Sequence, residues 1–241
     1  MARTIPPEER LIFALDVSTA REALDWVQRL RGEVRFFKIG LELFLGGGWD
    51  VVHRIHDQGV RIFLDLKLLD IPQTVSRALK VIGRHVDAPM FVTVHGFTGG
   101  LDPAQQAAID PRLKLLGVTL LTSQGPADLA ALGIALSPAD YVLRLAERSL
   151  ALGCAGVVAS GEEAARLRRR LGPEAILVVP GVRPAGGSRD DQQRVSTPWQ
   201  AIGAGADYLV VGRPIREAAD PPAAARAIQE EIRTALSAPT P

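Results

Sequence analysis

Hydrophobic and polar positions along this chain change repeatedly between two periods. Short, nearly continuous apolar runs of the kind that form buried strands alternate with segments whose apolar positions recur at helical spacing. We predict eight strands from the apolar runs, in segments 11–16, 34–40, 60–67, 90–95, 113–121, 155–159, 175–179 and 207–211. We predict helices in segments 18–32, 49–59, 72–86, 137–152, 162–171 and 221–236, with shorter ones after Gly100 and before Asp207. Ser18 and Asp220 are the predicted N-caps of the first and last helices.

Repeated strand-then-helix units with apolar strands indicate a parallel sheet that helices cover. Eight such units in 241 residues match a closed (β/α)8 barrel. We therefore expect a single domain over residues 1–241, with residues 237–241 as a disordered tail. An open, doubly wound sheet is the alternative, but the glycine-rich turn of dinucleotide-binding folds is absent after the first strand, where Asp16 and Ser18 stand.

A cluster of charges ends the third predicted strand, in segment 65–72 (DLKLLDIP). Asp65 and Lys67 share one face of the strand, and Asp70 follows just beyond it. A lone Asp-x-Lys is usually a structural ion pair, but Lys38 ends the neighbouring strand. An alternating network Lys38–Asp65–Lys67–Asp70 at the carboxyl ends of barrel strands predicts an active site, because chemistry in such barrels takes place there.

Two arginine-containing segments follow strands seven and eight, in 180–192 (PGVRPAGGSRDDQ) and 211–214 (VGRP). The loops at these positions of a barrel commonly bind phosphate. Arg183 and Arg213 supply planar donors that suit phosphate oxygens, and Gly212 allows close backbone approach. Arg189 and Arg194 are interpreted as solvated surface arginines.

Composition and charge argue against several classes of protein function. Lys and Arg number 28 against 27 Asp and Glu, so no excess of positive charge predicts binding to nucleic acid or to an acidic membrane. Cys154 is the single cysteine, which excludes an internal disulfide and fits a buried thiol in a reducing compartment. The first residues lack the apolar core of a signal peptide, and no apolar stretch is long enough to span a bilayer, so we expect a cytoplasmic protein.

Other motifs favour structural roles. His53 and His56 lie three residues apart on a helix without a completing ligand, and exposed histidines are expected there rather than a metal site. His95 is expected to form hydrogen bonds within the barrel. The triple glycine 46–48 is interpreted as a loop entering the second helix, and the run 168–170 (RRR) as the solvated end of a helix.

The motifs at the strand ends resemble those of the orotidine 5′-phosphate decarboxylase family. The matching segments are 14–16 (ALD), 37–40 (FKIG), 65–74 (DLKLLDIPQT), 180–184 (PGVRP) and 211–215 (VGRPI). They occur in the family's order. Leu69 departs from the pattern, because many bacterial members carry histidine at this position.

The resemblance implies decarboxylation of orotidine 5′-monophosphate to UMP and CO2, without a metal or an organic cofactor. It implies that Lys67 donates a proton to C6 of the pyrimidine, that Asp65 and Asp70 flank the departing carboxylate, and that Lys38 holds Asp65 and contacts the ribose. Besides Lys38 and Asp65, it implies that Asp16 binds the ribose and that Thr122 and Ser123 lie near the base. The residues that it implies at the phosphate are Arg183, Gln192, Gly212 and Arg213. Thr74 and Pro180 complete the implied substrate-binding set. It also implies a homodimer in which Asp70 and Thr74 reach into the partner's site.

Two other functions stay open at this point. A sugar-phosphate decarboxylase of the same barrel superfamily would use Mg²⁺ and an acidic ligand after the second strand, where Glu42 lies close to Lys38. A non-catalytic barrel that binds a phosphorylated metabolite would gain little from Lys67 between two carboxylates, so the complete charge network argues against it.

Overall fold

The strands form a closed barrel in chain order, in which each strand pairs in parallel with the next and the last pairs with the first. The computed structural model describes residues 5–96, 101, 109–184, 194 and 196–238. The strands are β1 (Leu11–Leu15), β2 (Phe36–Gly40), β3 (Arg61–Leu68), β4 (Met90–His95), β5 (Leu113–Val118), β6 (Gly156–Val158), β7 (Ile176–Val179) and β8 (Tyr208–Val211). The prediction of a (β/α)8 barrel is confirmed, and the open sheet is excluded.

Helices cover the outside of the barrel. They are α1 (Ala20–Arg29), α2 (Leu41–His56), α3 (Pro72–Gly83), α4 (Pro126–Ala131), α5 (Pro138–Ala151), α6 (Ala164–Leu171), α7 (Pro198–Gly203), α8 (Arg213–Arg216) and α9 (Pro221–Ser237). The helix predicted after the fourth strand lies outside the described residues. Helix α9 includes Ser237, which the sequence assigned to the tail, and residues 239–241 lie outside the described part of the chain.

The N-caps of the first and last helices differ in outcome. Asp220 caps α9 as predicted, because its carboxylate accepts a hydrogen bond from the amide of Ala223 (3.0 Å). The prediction of Ser18 is wrong: α1 is capped by Thr19, whose hydroxyl accepts from the amide of Glu22 (3.2 Å). The Ser18 hydroxyl donates instead to the carboxylate of Glu42.

The triple glycine also differs from the prediction, since it lies inside α2 rather than in a preceding loop. Only Gly48 leaves helical geometry, with φ of 57° in the left-handed region, and it kinks the helix. A Cβ at Gly46 would lie 2.7 Å from the carbonyl oxygen of Ser18, so the glycine allows α2 to approach the segment after β1.

Strand side chains alternate between two buried faces. In β1, Leu11, Phe13 and Leu15 pack against the helices, whereas Ile12 and Ala14 face the barrel interior. Phenylalanines, a tyrosine and aliphatic residues from the other strands fill the interior. We call the opening of the barrel at the carboxyl ends of its strands the mouth. The floor of the mouth is a packed apolar core, and polar groups at the carboxyl ends of the strands lie directly above it.

Charged groups lie at the amino-terminal end of the barrel. Arg61 places its guanidinium 4.4 Å from the centroid of the Phe36 ring and pairs with Glu9 (2.6 Å) in the 3-10 turn Pro7–Glu9. On the outside at the same end, Arg168 pairs with Asp207 (2.7 Å) and donates to three backbone carbonyls. Arg168 is therefore not the solvated residue that the arginine run predicted.

Among the described residues, no helix combines the length and the apolar character needed to cross a bilayer.

Candidate active site

A cavity of about 210 Å³ opens among the carboxyl ends of the strands. The predicted site residues that line it are Lys38, Asp65, Lys67, Thr122, Ser123 and Pro180. A larger cavity of about 580 Å³ lies at the opposite end, beside His53, His56 and His85. We assign the active site to the smaller cavity, because buried charges of both signs converge there.

Lysines and aspartates alternate across one side of this mouth. The Lys38 ammonium lies 3.1 Å from Asp16 Oδ1 and 3.6 Å from Asp65 Oδ2, and Lys67 Nζ lies 2.9 Å from both oxygens of Asp65. The side chains of Lys38 and Asp65 are each 12% exposed, whereas that of Lys67 is 35% exposed. Lys67 is thus fixed by a buried carboxylate while its ammonium remains within reach of a ligand.

Asp65 is ionised in this environment. Burial by itself raises the pKa of the carboxyl, but the charges of Lys38 and Lys67 and the hydrogen bonds from Lys67 and Thr93 outweigh burial, so the net pKa is lowered. An ionised Asp65 attracts and orients both neighbouring ammonium groups.

An irregularity in β3 orients Lys67. The pairing with β4 shifts between Leu64 and Leu68, and Lys67 within this bulge has φ of 49°. Thr93 of β4 stabilises it: its hydroxyl accepts from the Lys67 amide (2.9 Å) and donates to Asp65 Oδ1 (2.8 Å). Sequence reasoning missed Thr93 because a single threonine in an apolar strand gives no signal of its own.

Asp70 does not join the predicted network within its own chain. It is exposed, and its carboxylate accepts a hydrogen bond from the amide of Ile71 (2.6 Å). It forms no ion pair with any described residue, so the alternating charges that the structure joins are Asp16, Lys38, Asp65 and Lys67. The expectation of a direct Lys67–Asp70 contact within the chain is wrong, because β3 ends at Leu68 and the turn into α3 carries Asp70 outward.

Thr74 is likewise exposed, in the first turn of α3. The apolar side chains of Leu69 and Ile71 on either side of Asp70 are 53% and 63% exposed. The segment that carries Asp70 and Thr74 therefore forms an unusually apolar surface beside the mouth.

The predicted phosphate residues lie at the ends of β7 and β8. Arg183 is buried and donates to the carbonyl of Val182 (3.1 Å), and Arg213 begins α8. A Cβ at Gly212 would lie 3.3 Å from Asp16 Oδ2, so glycine at this position lets the backbone after β8 approach the Asp16 carboxylate closely. Gln192 lies outside the described residues.

Arg216, which the sequence did not single out, supports Asp16 from α8. Its guanidinium donates to the backbone carbonyl of Asp16 (2.8 Å). This contact joins the loop after β1 to the helix that begins with Arg213.

The structure contradicts the interpretation of Arg194 as a solvated arginine. Its side chain is 7% exposed and pairs with Glu163 (2.6 Å), whose side chain is 6% exposed. It also donates to the carbonyls of Leu120 (2.9 Å) and Leu121 (3.0 Å), which lie 74 and 73 positions away. The local sequence holds no signal for contacts at this separation.

The remaining candidates have the following surroundings. Burial and the Lys67 charge lower the pKa of His95, which favours its neutral form. Burial raises the pKa of the Cys154 thiol to about 12, so the prediction of a buried packing cysteine is confirmed.

Glu42, the candidate ligand after the second strand, is exposed and hydrogen-bonded to Ser18. His56, which was expected to be exposed, is half-buried.

Comparison with known families identifies one that spans most of the chain. The sequence profile of the Orotidine 5′-phosphate decarboxylase / HUMPS family matches residues 9–228. This range includes every residue of the mouth described above.

Individual relatives agree with the profile. The chain is 48% identical over 229 residues to orotidine 5′-phosphate decarboxylase of Xanthomonas euvesicatoria, covering 95% of this chain and 93% of the relative. It is 45% identical over 237 residues to the protein of the same name from a Bradyrhizobium species, covering 98% and 97%. The solved structure of orotidine 5′-phosphate decarboxylase from Lactobacillus acidophilus superposes with a TM-score of 0.79 at 34% identity, covering 93% of this chain and 99% of that one.

Proposed function

Because the chain belongs to the orotidine 5′-phosphate decarboxylase / HUMPS family, we propose that its barrel mouth converts orotidine 5′-monophosphate to UMP and CO2 with Lys67 as the proton donor. The reaction belongs to pyrimidine biosynthesis. The observation that carries the assignment of Lys67 is its ammonium group, which Asp65 holds in a cavity above an apolar floor while Lys38 pairs with the same carboxylate.

The chemistry requires stabilisation of negative charge at one carbon. Loss of CO2 leaves an electron pair at C6 of the pyrimidine, in the plane of the ring, where the π system delocalises it poorly. A fixed ammonium beside C6 stabilises this charge as it develops and then delivers a proton to the same carbon. Because Asp65 and Thr93 already fix the backbone and side chain of Lys67, little reorganisation is needed during the reaction.

The substrate's other groups have partners along the mouth. In this proposal Asp16 and Lys38, which form an ion pair, bind ribose hydroxyls, and Thr122 and Ser123, which line the cavity, contact the base. Arg183 after β7 and Arg213 at the start of α8 bind the phosphate. Arginine forks suit phosphate oxygens. Binding energy from a phosphate remote from C6 can hold the base against Lys67, which raises the rate of the chemical step.

Gln192, Pro180, Gly212 and Thr74 complete the proposed binding set. Pro180 lines the cavity and Gly212 lies beside Asp16. For Gln192 the assignment to the phosphate rests on its family position alone.

The Mg²⁺-dependent alternative is less well supported by the surroundings of the carboxylates. Lys38 and Lys67 ammonium groups already occupy the oxygens of Asp65, and Lys38 also pairs with Asp16. Glu42 accepts a hydrogen bond from the Ser18 hydroxyl and forms no ion pair with a described residue. The ligands that an enediolate-stabilising Mg²⁺ would need therefore have ammonium or hydroxyl partners.

We also propose a homodimer in which each site receives Asp70 and Thr74 from the partner. Asp70 is exposed, has no ion-pair partner among the described residues of its own chain and stands between the exposed Leu69 and Ile71. Covering this apolar segment with a second subunit would bring one carboxylate to the departing CO2 group of the other subunit's substrate.

The single-domain organisation and the cytoplasmic location are part of the same proposal. The described residues form one barrel, which supports a single domain. The single cysteine is a buried free thiol whose pKa is raised by burial, which suits a reducing compartment.

A continuous spectrophotometric assay of orotidine 5′-monophosphate with EDTA tests the function. We expect turnover that chelation leaves unchanged. The matched variant is Lys67→Ala, which should lose turnover by at least about 10³-fold while still binding UMP, because other residues hold the phosphate. Restoration of activity by Mg²⁺ only, or near-normal kcat in Lys67→Ala, would contradict the proposal.

A further inference from the structure

Arg194 and Glu163 form a buried ion pair behind the wall of the mouth, outside the groups assigned to substrate so far. The two side chains are 7% and 6% exposed, and Arg194 Nη1 lies 2.6 Å from Glu163 Oε1. Two further atoms of the pair, Arg194 Nε and Glu163 Oε2, are buried and have no hydrogen-bond partner among the described residues. A pair with unsatisfied polar atoms is a poor device for stability alone, because apolar residues in its place would avoid the desolvation cost.

The contacts of Arg194 join three loops that surround the mouth. Glu163 lies just before α6, in the loop after β6. The Arg194 guanidinium donates to the carbonyls of Leu120 and Leu121 in the loop after β5, directly before Thr122 and Ser123. Both Leu120 and Leu121 line the cavity, so the guanidinium holds the wall of the mouth from behind.

Arg194 is also connected to the phosphate end. Two residues beyond it, Ser196 pairs with Val182 in an isolated parallel bridge, and its carbonyl accepts a hydrogen bond from the Arg183 amide (3.0 Å). A Cβ at Gly161 would lie 2.1 Å from Ser196 Oγ, so glycine there permits this close packing against the loop after β6. The arginine assigned to phosphate and the residues assigned to the base are thereby linked through Arg194.

We propose that Arg194 is a positioning residue for the decarboxylation, which fixes the distance between the phosphate end at Arg183 and the base-facing wall at Leu120 to Ser123. The inference rests on the proposed function. A substrate that carries both base and phosphate needs this distance, since it binds both ends at once. A ligand that carries only one end does not need it, because each end can bind separately.

The test compares one whole substrate with two partial ligands in the Arg194→Met variant. We expect kcat/KM for orotidine 5′-monophosphate to fall about 5- to 150-fold, the usual range of coupling between sites. The value of kcat/KM for orotidine, which lacks the phosphate, and the Kd for ribose 5-phosphate, which lacks the base, should each change less than about threefold. In an Arg213→Ala background, where the phosphate is held weakly, the penalty of Arg194→Met should shrink.

Two variants complete the design. Arg166→Met removes an equally close ion pair with Asp140 (2.6 Å) on the surface, and it should leave all three measurements unchanged. Arg194→Lys keeps a charge opposite Glu163 but lacks the planar arm that donates to both carbonyls, so it should show the same selective loss at smaller size. If Arg194→Met does not fold, the same measurements on Arg194→Lys test the proposal.

The outcomes separate the two proposals. If wild-type protein turns over orotidine 5′-monophosphate but the Arg194 variants affect whole and partial ligands equally, Arg194 only supports the fold and the inference is wrong. Unchanged turnover of the whole substrate overturns it as well. Absence of turnover in the wild type contradicts the proposed function itself.

Discussion

At the scale of single residues, the backbone of Lys67 is the most strained part of the site. It is the only non-glycine residue with positive φ among the described residues, and such a conformation costs on the order of 1–3 kcal/mol. The Thr93 hydroxyl offsets this cost by bonding the Lys67 amide and Asp65 together. Strain that several contacts maintain at a reactive group indicates a site prepared before the substrate arrives.

Replacing Thr93 by valine tests this preparation. Thr93→Val removes the acceptor of the Lys67 amide and one of the two donors to Asp65 Oδ1 in a buried place, so we expect a loss of about 1–3 kcal/mol in unfolding free energy. Because Lys67 is then less well placed, kcat should fall about 10- to 100-fold. Urea unfolding and steady-state kinetics measure the two effects.

Thr119→Val is the matched control. Thr119 is also buried, and its hydroxyl donates to the carbonyl of Val158 (2.8 Å), but it does not touch the charge chain. It should cost stability with little loss of kcat. Equal losses of kcat in the two variants would show that Thr93 has no special role in placing Lys67.

The lowered pKa of His95 predicts a pH-dependent contribution to stability. Its ordinary value is 6.5, and burial and the charge of Lys67 lower it in the folded state. The folded protein therefore binds a proton at His95 less readily than the unfolded chain does, so this contribution is present above pH 6.5 and is lost as the pH falls below that value. Between pH 7 and about 5, the unfolding free energy of wild type should fall more steeply than that of His95→Asn. Parallel curves from urea unfolding would contradict this assignment.

At the scale of elements, single side chains bridge parts of the barrel that are distant in sequence. Arg168 at the amino-terminal end of the barrel donates to the carbonyls of Gly172, Ala175 and Gly205 and pairs with Asp207. It thus joins α6 to the segments that lead into β7 and β8. Arg194 makes a comparable connection at the opposite end.

Arg168→Met should therefore destabilise the fold without affecting catalysis. We expect a loss of about 2–4 kcal/mol in unfolding free energy, because backbone carbonyls and Asp207 lose a charged donor. Arg170→Met is the control from the same run of arginines: Arg170 pairs with Glu147 on the surface, where the effect should stay within about 0.5 kcal/mol. Chemical denaturation measures both, and kcat/KM should match wild type in each. A catalytic defect in Arg168→Met would contradict a purely structural role.

The elements differ in how far the sequence predicted them. The strands were predictable because those of a closed barrel are buried on both faces, which leaves continuous apolar runs. The start of α2 was not predictable, because glycines at 46–48 oppose a helix locally. The structure explains Gly46 by the close approach to Ser18 and Gly48 by its left-handed backbone conformation.

The same distinction holds for the site. Lys38, Asp65 and Lys67 were predictable because a charge at the end of an apolar strand stands out. Thr93 and Arg194 act through contacts between distant segments, which a single sequence does not reveal.

At the scale of the whole molecule, Asp70 stands apart from the other predicted charges of the site. Asp16, Lys38, Asp65 and Lys67 are joined by ion pairs in the mouth, whereas Asp70 is exposed and forms no ion pair with any described residue. In the homodimer proposed above, the second carboxylate at the departing CO2 group is Asp70 of the partner subunit. Such an arrangement would couple catalysis to assembly.

Paired inactive variants test that coupling. Subunits with Lys67→Ala and subunits with Asp70→Ala, each with a different affinity tag, are co-expressed, and the mixed dimer is isolated through both tags. If Asp70 acts across the interface, one site of the mixed dimer contains both alanines and the other contains intact Lys67 and Asp70. The mixed dimer should then recover about half of the wild-type kcat per dimer, although both parent dimers are inactive. A mixed dimer of wild type and Lys67→Ala should also show about half and serves as the control for assembly. If Asp70 acts within its own chain, each site of the doubly variant dimer lacks one essential group, and no activity returns; failure to isolate any mixed dimer, control included, would contradict the dimer itself.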